Sequence, residues 1–189
     1  RTYVQLNMTS QFILGLIAGE GSFSFSTQTD KGRFGVYIQP SFSLSMYEEK
    51  LVREVHETLG LGHISERSDG MYALRITSRD ERLELIKFVD RNASELFKAS
   101  EKYIAYCNWK RMVERKQELM KTKDGMRKLV RMAHSVNDFG KSTNYSSEEL
   151  LKIIDENDQH FCGVTTSKEQ PCENPVNSED AKCYLHQNH

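Results

Sequence analysis

The stretch Gly15-Leu-Ile-Ala-Gly-Glu-Gly-Ser-Phe23 decides how this chain is read. Three glycines, Gly15, Gly19 and Gly21, surround a single carboxylate, Glu20, at the end of the apolar run Phe12, Ile13, Leu16, Ile17. A glycine inside a helix costs roughly 1 kcal/mol relative to alanine, so something other than helix stability sets these positions. Thr9 or Ser10 supplies an N-cap, and the apolar spacing predicts a helix over residues 10–19. Glycines four apart share a helix face and let a second helix backbone come close. Contact through Gly15 and Gly19 would bring two copies of Glu20 together. Paired carboxylates of this kind suit a hard divalent cation such as Mg2+.

Working outward, residues 22–28 alternate strictly, with Phe23 and Phe25 on one face. After Asp30-Lys-Gly32 the alternation resumes for about thirteen residues, apolar at even positions from Phe34 to Met46. Pro40 places this second strand at a sheet edge or bulge. Residues 48–59 read as an amphipathic helix stopped by Gly60-Leu-Gly62. A second hairpin follows around Ser68-Asp-Gly70, with Tyr72, Leu74 and Ile76 facing inward. Residues 80–89 form a third helix, and residues 94 to about 120 a long fourth. The expected fold is α+β in the order αββαββα, with further helix and a tail behind it. Two hairpins covered by helices on one side leave a polar sheet face carrying Ser24, Ser26, Gln28, Tyr37, Gln39, Ser41, Ser43, Arg67 and Arg75, with Arg33 beside the first turn. Small hydroxyls, amides and arginines are the groups that hold phosphates and read base edges.

Charge is unevenly distributed along the 189 residues. The net charge is −1, yet residues 1–100 hold 12 basic and 13 acidic side chains, residues 101–145 hold 11 and 5, and residues 146–189 hold 3 and 9. The basic middle is the asymmetry that hides a polyanion-binding surface inside a neutral total. No apolar stretch approaches the ~20 residues of a membrane span, and the polar opening lacks a signal-peptide pattern. An intracellular protein without a membrane partner is expected.

The run Ile13-Leu-Gly-Leu-Ile-Ala-Gly-Glu-Gly21, followed by Ser22-Phe23, resembles the signature of the LAGLIDADG homing endonucleases. Phe42-Ser-Leu-Ser, Leu59-Gly-Leu-Gly-His-Ile-Ser and Tyr72-Ala-Leu-Arg-Ile extend the likeness over roughly residues 8–120. The resemblance implies a four-stranded antiparallel, saddle-shaped sheet over double-stranded DNA. It also implies that Glu20, helped by the Gly19 carbonyl, is the Mg2+ ligand. One motif per chain implies a homodimer joined through the Gly15 and Gly19 face and a long, nearly palindromic site cut to leave short 3′ overhangs. Lys50 and Lys98 are candidate catalytic lysines, with Lys102 as a substitute for Lys98. Met46 stands near the strand end where relatives often carry a water-positioning glutamine. An RNA-splicing maturase, with its host intron RNA as partner, or an inert DNA-binding regulator is the alternative on the same fold.

Cys162, Cys172, Cys183 and His186 close the chain with thiolates and an imidazole, a donor set for structural Zn2+. His160 and His189 are substitute ligands. Cys107 reads as a small buried apolar residue. The expected division is a nuclease domain with its helical extension over residues 1–145, and a helix plus zinc-binding-like module over residues 146–189.

Overall fold

The computed structural model describes residues 8–29, 32–137 and 145–157, together with His160, Phe161, Val164, Cys172, Pro175, Val176, Cys183 and His186. Chain order is α1 (Ser10–Glu20), β1 (Gly21–Thr29), β2 (Val36–Met46), α2 (Glu49–Leu59), β3 (His63–Glu66), β4 (Tyr72–Ile76) and α3 (Arg79–Asn92). It continues with α4 (Glu95–Lys98), α5 (Glu101–Leu119), α6 (Lys123–Asn137), α7 (Ser147–Glu156), β5 (His160–Phe161) and β6 (Pro175–Val176). The expected αββαββα order is the order of α1 to α3. Among the described residues β1 to β4 form one antiparallel sheet, ordered β1-β2-β4-β3, and β5 pairs with β6.

The chain divides into two compact units: Arg1–Ser24 with Pro40–Val113, and Phe25–Gln39 with Glu114–His189. In the first, α1 turns Ile13, Leu14 and Ile17 inward, α2 Val52 and Val55, and α3 Leu85, Ile86 and Val89. Phe23 is the hub of an aromatic cluster, with ring centres 5.0 Å from Phe42, 5.4 Å from Tyr106 and 5.2 Å from Trp109. Such pairs contribute roughly 0.5–1.5 kcal/mol each beyond the area they bury. Helix starts are set by hydroxyl caps: Thr9 accepts from the Phe12 N–H and Ser78 from the Glu81 N–H. Gly60 ends α2 in the left-handed conformation, φ 65°, which a side chain disfavours.

In the second unit the buried side chains include Phe25, Phe34, Val36 and Ile38 from the hairpin, Met126, Leu129, Val130 and Ala133 from α6, and Leu150 and Ile154 from α7. Thr29 and Tyr145 share a hydroxyl hydrogen bond of 3.1 Å, and Arg127 pairs with Asp155 at 2.7 Å. Ser146 and Glu149 form a reciprocal capping box at the start of α7.

Three local expectations change. The second strand has 11 residues rather than thirteen, because Gly35, at φ 71°, breaks the extended run before Val36. Pro40 lies in an interior strand, not at an edge. It is tolerated because β4 pairs with β2 only from Tyr72–Met46 to Ile76–Phe42, leaving Pro40 beyond the last pair. The long helix from residue 94 is broken. Ser94 caps the single turn of α4, and Ser100 donates to the Phe97 carbonyl at 2.6 Å while accepting from the Tyr103 N–H at the start of α5.

Candidate active site

Glu20 is the last residue of α1 and is exposed. The Gly21 N–H closes the helix on the Ile17 carbonyl, and a Cβ on Gly21 would stand 2.6 Å from that same oxygen. Only glycine fits this junction. Gly15 and Gly19 differ: beyond its own stretch of helix backbone, a Cβ on either meets nothing within 4 Å among the described residues. Both are exposed, on the helix that also leaves Phe12 51% exposed. The last carbonyls of α1, including that of Gly19, lack intrahelical donors and carry the negative end of the helix dipole. The last turn holds no basic side chain to offset it. The exposed Glu20 is the residue that follows Gly19 in the chain, and a carboxylate with main-chain oxygens is a donor type that hard cations take.

The three lysines separate clearly. Lys102, half-buried in the first turn of α5, donates to the Gly21 carbonyl and so brings its ammonium to the residue after Glu20. Lys98 is engaged with Glu95 at 2.8 Å, and that hydrogen bond, with the carboxylate charge, raises the ammonium pKa. Lys50 is 80% exposed and lies 3.8 Å from Glu54. Met46 is buried.

On the polar face of the first unit, Ser24 and Ser41 share a hydroxyl hydrogen bond of 3.1 Å. Ser43 lies opposite Arg75 in the β2–β4 ladder, and His63 lies opposite Arg75 from β3. Arg75 is exposed, and Arg67, just past β3, is held by Asp69 at 2.9 Å. In the second unit Ser26 and Gln28 are exposed, whereas Tyr37 and Gln39 are half-buried and bonded to each other at 2.5 Å. Lys116 sits over the Tyr37 ring, 4.4 Å from its centre, and donates to the Tyr37 hydroxyl at 3.4 Å and Gln39 Oε1 at 3.3 Å. The Arg33 guanidinium lies 5.7 Å from the Phe34 ring centre. The sequence reading did not single out Lys116. The signal was present, since Trp109, Met112, Lys116 and Leu119 recur at helical spacing and all are buried.

In the tail, Cys172 Sγ, Cys183 Sγ and a ring nitrogen of His186 all lie within 4.8 Å of one another, and both cysteines are buried. The sulfurs are 3.7 Å apart, and Cys183 Sγ is 3.4 Å from His186 Nδ1. A tetrahedron with metal–sulfur bonds of about 2.3 Å has edges of about 3.8 Å, so these spacings fit two corners and an imidazole around one ion. Main-chain bonds hold the trio, from the Cys172 N–H to the Val164 carbonyl and from the His186 N–H to the Cys183 carbonyl, each 2.8 Å. Cys162 and His189 lie outside the described residues, as does the side chain of His160. Cys107 is half-buried in α5.

The sequence profile described as LAGLIDADG endonuclease matches residues 13–113, more than half of the chain. The chain belongs to the LAGLIDADG endonuclease family. Among solved structures, it is similar to the archaeal intron-encoded homing endonuclease I-Vdi141I complexed with DNA, at 25% identity and a TM-score of 0.72, covering 79% of this chain and 96% of that one. It also resembles the group I intron-encoded homing endonuclease I-CeuI complexed with DNA, at 18% identity and a TM-score of 0.68, covering 81% and 79%. A third likeness is the homing endonuclease I-TnaI, at 18% and 0.65, covering 80% and 99%. The last two speak for the fold alone. No curated protein sequence matches the chain. No helix among the described residues is long and apolar enough to cross a membrane.

Proposed function

We propose that this LAGLIDADG family member is an intracellular, site-specific endonuclease of double-stranded DNA, working as a homodimer with Mg2+. The observation that carries the reading is the end of α1: an exposed Glu20 closing the helix, with Lys102 bonded to the carbonyl of the next residue. Glu20 and the Gly19 carbonyl would hold the ion, and Mg2+ bound there supplies an activated water and a polarised phosphate oxygen. Lys102 takes the role of the cation beside the scissile phosphate, ahead of Lys98 and Lys50, whose partners are their own helical neighbours. The open face of Gly15 and Gly19 receives the same face of a second copy and sets the two Glu20 carboxylates across the dyad. Two-fold symmetry makes the target nearly palindromic, with each strand cut once to leave a short 3′ overhang. Ser24, Ser41, Ser43 and Arg75, with Arg67, contact the duplex from the first unit, and Ser26 and Gln28 from the second. Cys172, Cys183 and His186, joined by Cys162, hold a structural Zn2+.

The test is a randomised duplex library incubated with Mg2+ and either the natural chain or Glu20→Gln. Cutting at one near-palindromic site by the natural chain alone, with DNA binding kept in the variant, is expected. Retention of a duplex without cutting by either protein would overturn the nuclease in favour of a regulator.

A further inference from the structure

Arg82 is an internal arginine, 4% exposed, on a helix whose other buried residues are apolar. Taking a guanidinium out of water is costly unless its donors are met. Its Nη1 donates to two main-chain carbonyls, Pro40 at 2.5 Å and Thr77 at 2.7 Å. Both carbonyls belong to the place where the β2–β4 ladder ends: Phe42–Ile76 is its last pair, and Thr77 and Pro40 come just after it on the two strands. In an extended strand the carbonyl and nitrogen of one residue point to the same side. Pro40 thus turns both its carbonyl and its hydrogen-less nitrogen toward the side where β4 has run out. The guanidinium takes the position that the next strand pairing would have filled.

We infer that Arg82 is a positioning residue for base recognition: it anchors the Pro40 carbonyl and thereby sets the Ser24–Ser41 hydroxyl pair on the polar face. The Pro40–Ser41 peptide is planar, so holding the Pro40 oxygen holds the plane from which the Ser41 side chain springs. The Ser41 hydroxyl meets that of Ser24 at 3.1 Å. A hydroxyl reads a base edge only if its position is fixed to a fraction of an ångström. Arg82 reaches this pair from the opposite, buried side of the sheet without touching DNA itself. The inference rests on the reading of this chain as a DNA endonuclease.

The test compares the full chain with Arg82→Met, Arg82→Lys, Ser24→Ala, Ser41→Ala and Arg75→Ala on a library of single-base variants of the selected target. The serine variants mark the base pairs that the hydroxyl pair reads, and Arg75→Ala marks others. Arg82→Met is expected to lose roughly tenfold discrimination at the serine-marked pairs, the scale of one lost base contact, and to keep it at the Arg75-marked pairs. Arg82→Lys, which retains a charged donor on a shorter stem, should restore part of it. An unchanged profile, or an equal loss at every position, would overturn the proposal. Hydrogen exchange without DNA separates this from the nuclease reading. Arg82→Met should speed exchange at Ser41 and Phe42 even if the natural chain selects no target, and unchanged exchange there sinks the anchor on its own. Should Arg82→Met fail to fold, the same two readouts on Arg82→Lys decide.

Discussion

Replacing the three glycines of the first motif one at a time separates two physical roles. Gly21→Ala puts a Cβ 2.6 Å from the Ile17 carbonyl oxygen and 3.0 Å from the Ile17 Cα. Both are main-chain atoms of the same helix, so the end of α1 must open or β1 must start elsewhere. Overpacking of this kind costs about 1–3 kcal/mol. For a chain of this length each kcal/mol lowers Tm by about 2–4 °C, giving a loss of roughly 2–12 °C. Gly15→Ala and Gly19→Ala meet, beyond their own stretch of helix backbone, no atom within 4 Å among the described residues, and each gains up to ~1 kcal/mol of helix propensity. Dilute protein carrying both should therefore melt no lower than the natural chain, and up to about 4–8 °C higher. The same two methyls would wedge apart a helix seated on this face, so self-association should weaken sharply. Thermal melts over a range of protein concentrations, with sedimentation equilibrium beside them, read both quantities. If Gly15→Ala with Gly19→Ala lowers the dilute Tm as Gly21→Ala does, the face of Gly15 and Gly19 is not open. If the melt behaves as expected but association is untouched, the second copy docks elsewhere.

Three further outcomes are expected. Lys102→Met should slow single-turnover cleavage by roughly 10²-fold, the scale for losing one group that stabilises developing charge, whereas Lys98→Met should cut at the natural rate; equal effects would remove the distinction between them. Added Co2+ should give the intense near-ultraviolet bands of thiolate ligation, lost in Cys172→Ser and Cys183→Ser, and a spectrum of oxygen ligation alone would rule out the tail site. Tyr106 has its phenol pKa pushed above the usual tyrosine range, by burial first and then by its 2.6 Å hydrogen bond to Asp90. The raised pKa means that this group's stabilisation is complete below the unfolded value of about 10 and is lost as pH rises beyond it. Tyr106→Phe should cost about 1 kcal/mol at neutral pH and flatten the alkaline limb of a urea-unfolding series. A limb as steep as that of the natural chain would assign it to another group.

Much of this architecture is local and therefore readable. Even-numbered burial from Val36 to Met46 follows from the period of a strand, and the buried positions of β2 keep it without a slip. The caps at Thr9 and Ser78 follow from a hydroxyl placed before an apolar helical run. The break between α4 and α5 was also written locally, in Ser94 and Ser100, but the helical pattern on either side concealed it. Pro40 was misplaced because strand order is not a local property: an interior strand can lose its neighbour part-way along, and proline then sits where no donor is needed.

By itself the sequence determined the αββαββα order of α1 to α3, their buried faces, the junction at Glu20 and Gly21, and the family those residues mark. These depend on spacings of two to four residues along the chain. Only the tertiary structure brought Lys102 to the motif, since Lys102 and Gly21 are 81 residues apart and meet through packing alone. The same holds for Lys116 over Tyr37 and for Arg82 on the Pro40 carbonyl at the end of a ladder. Each joins groups distant in the chain, and no periodicity carries that information, because the contact exists only after the core has set the elements in place.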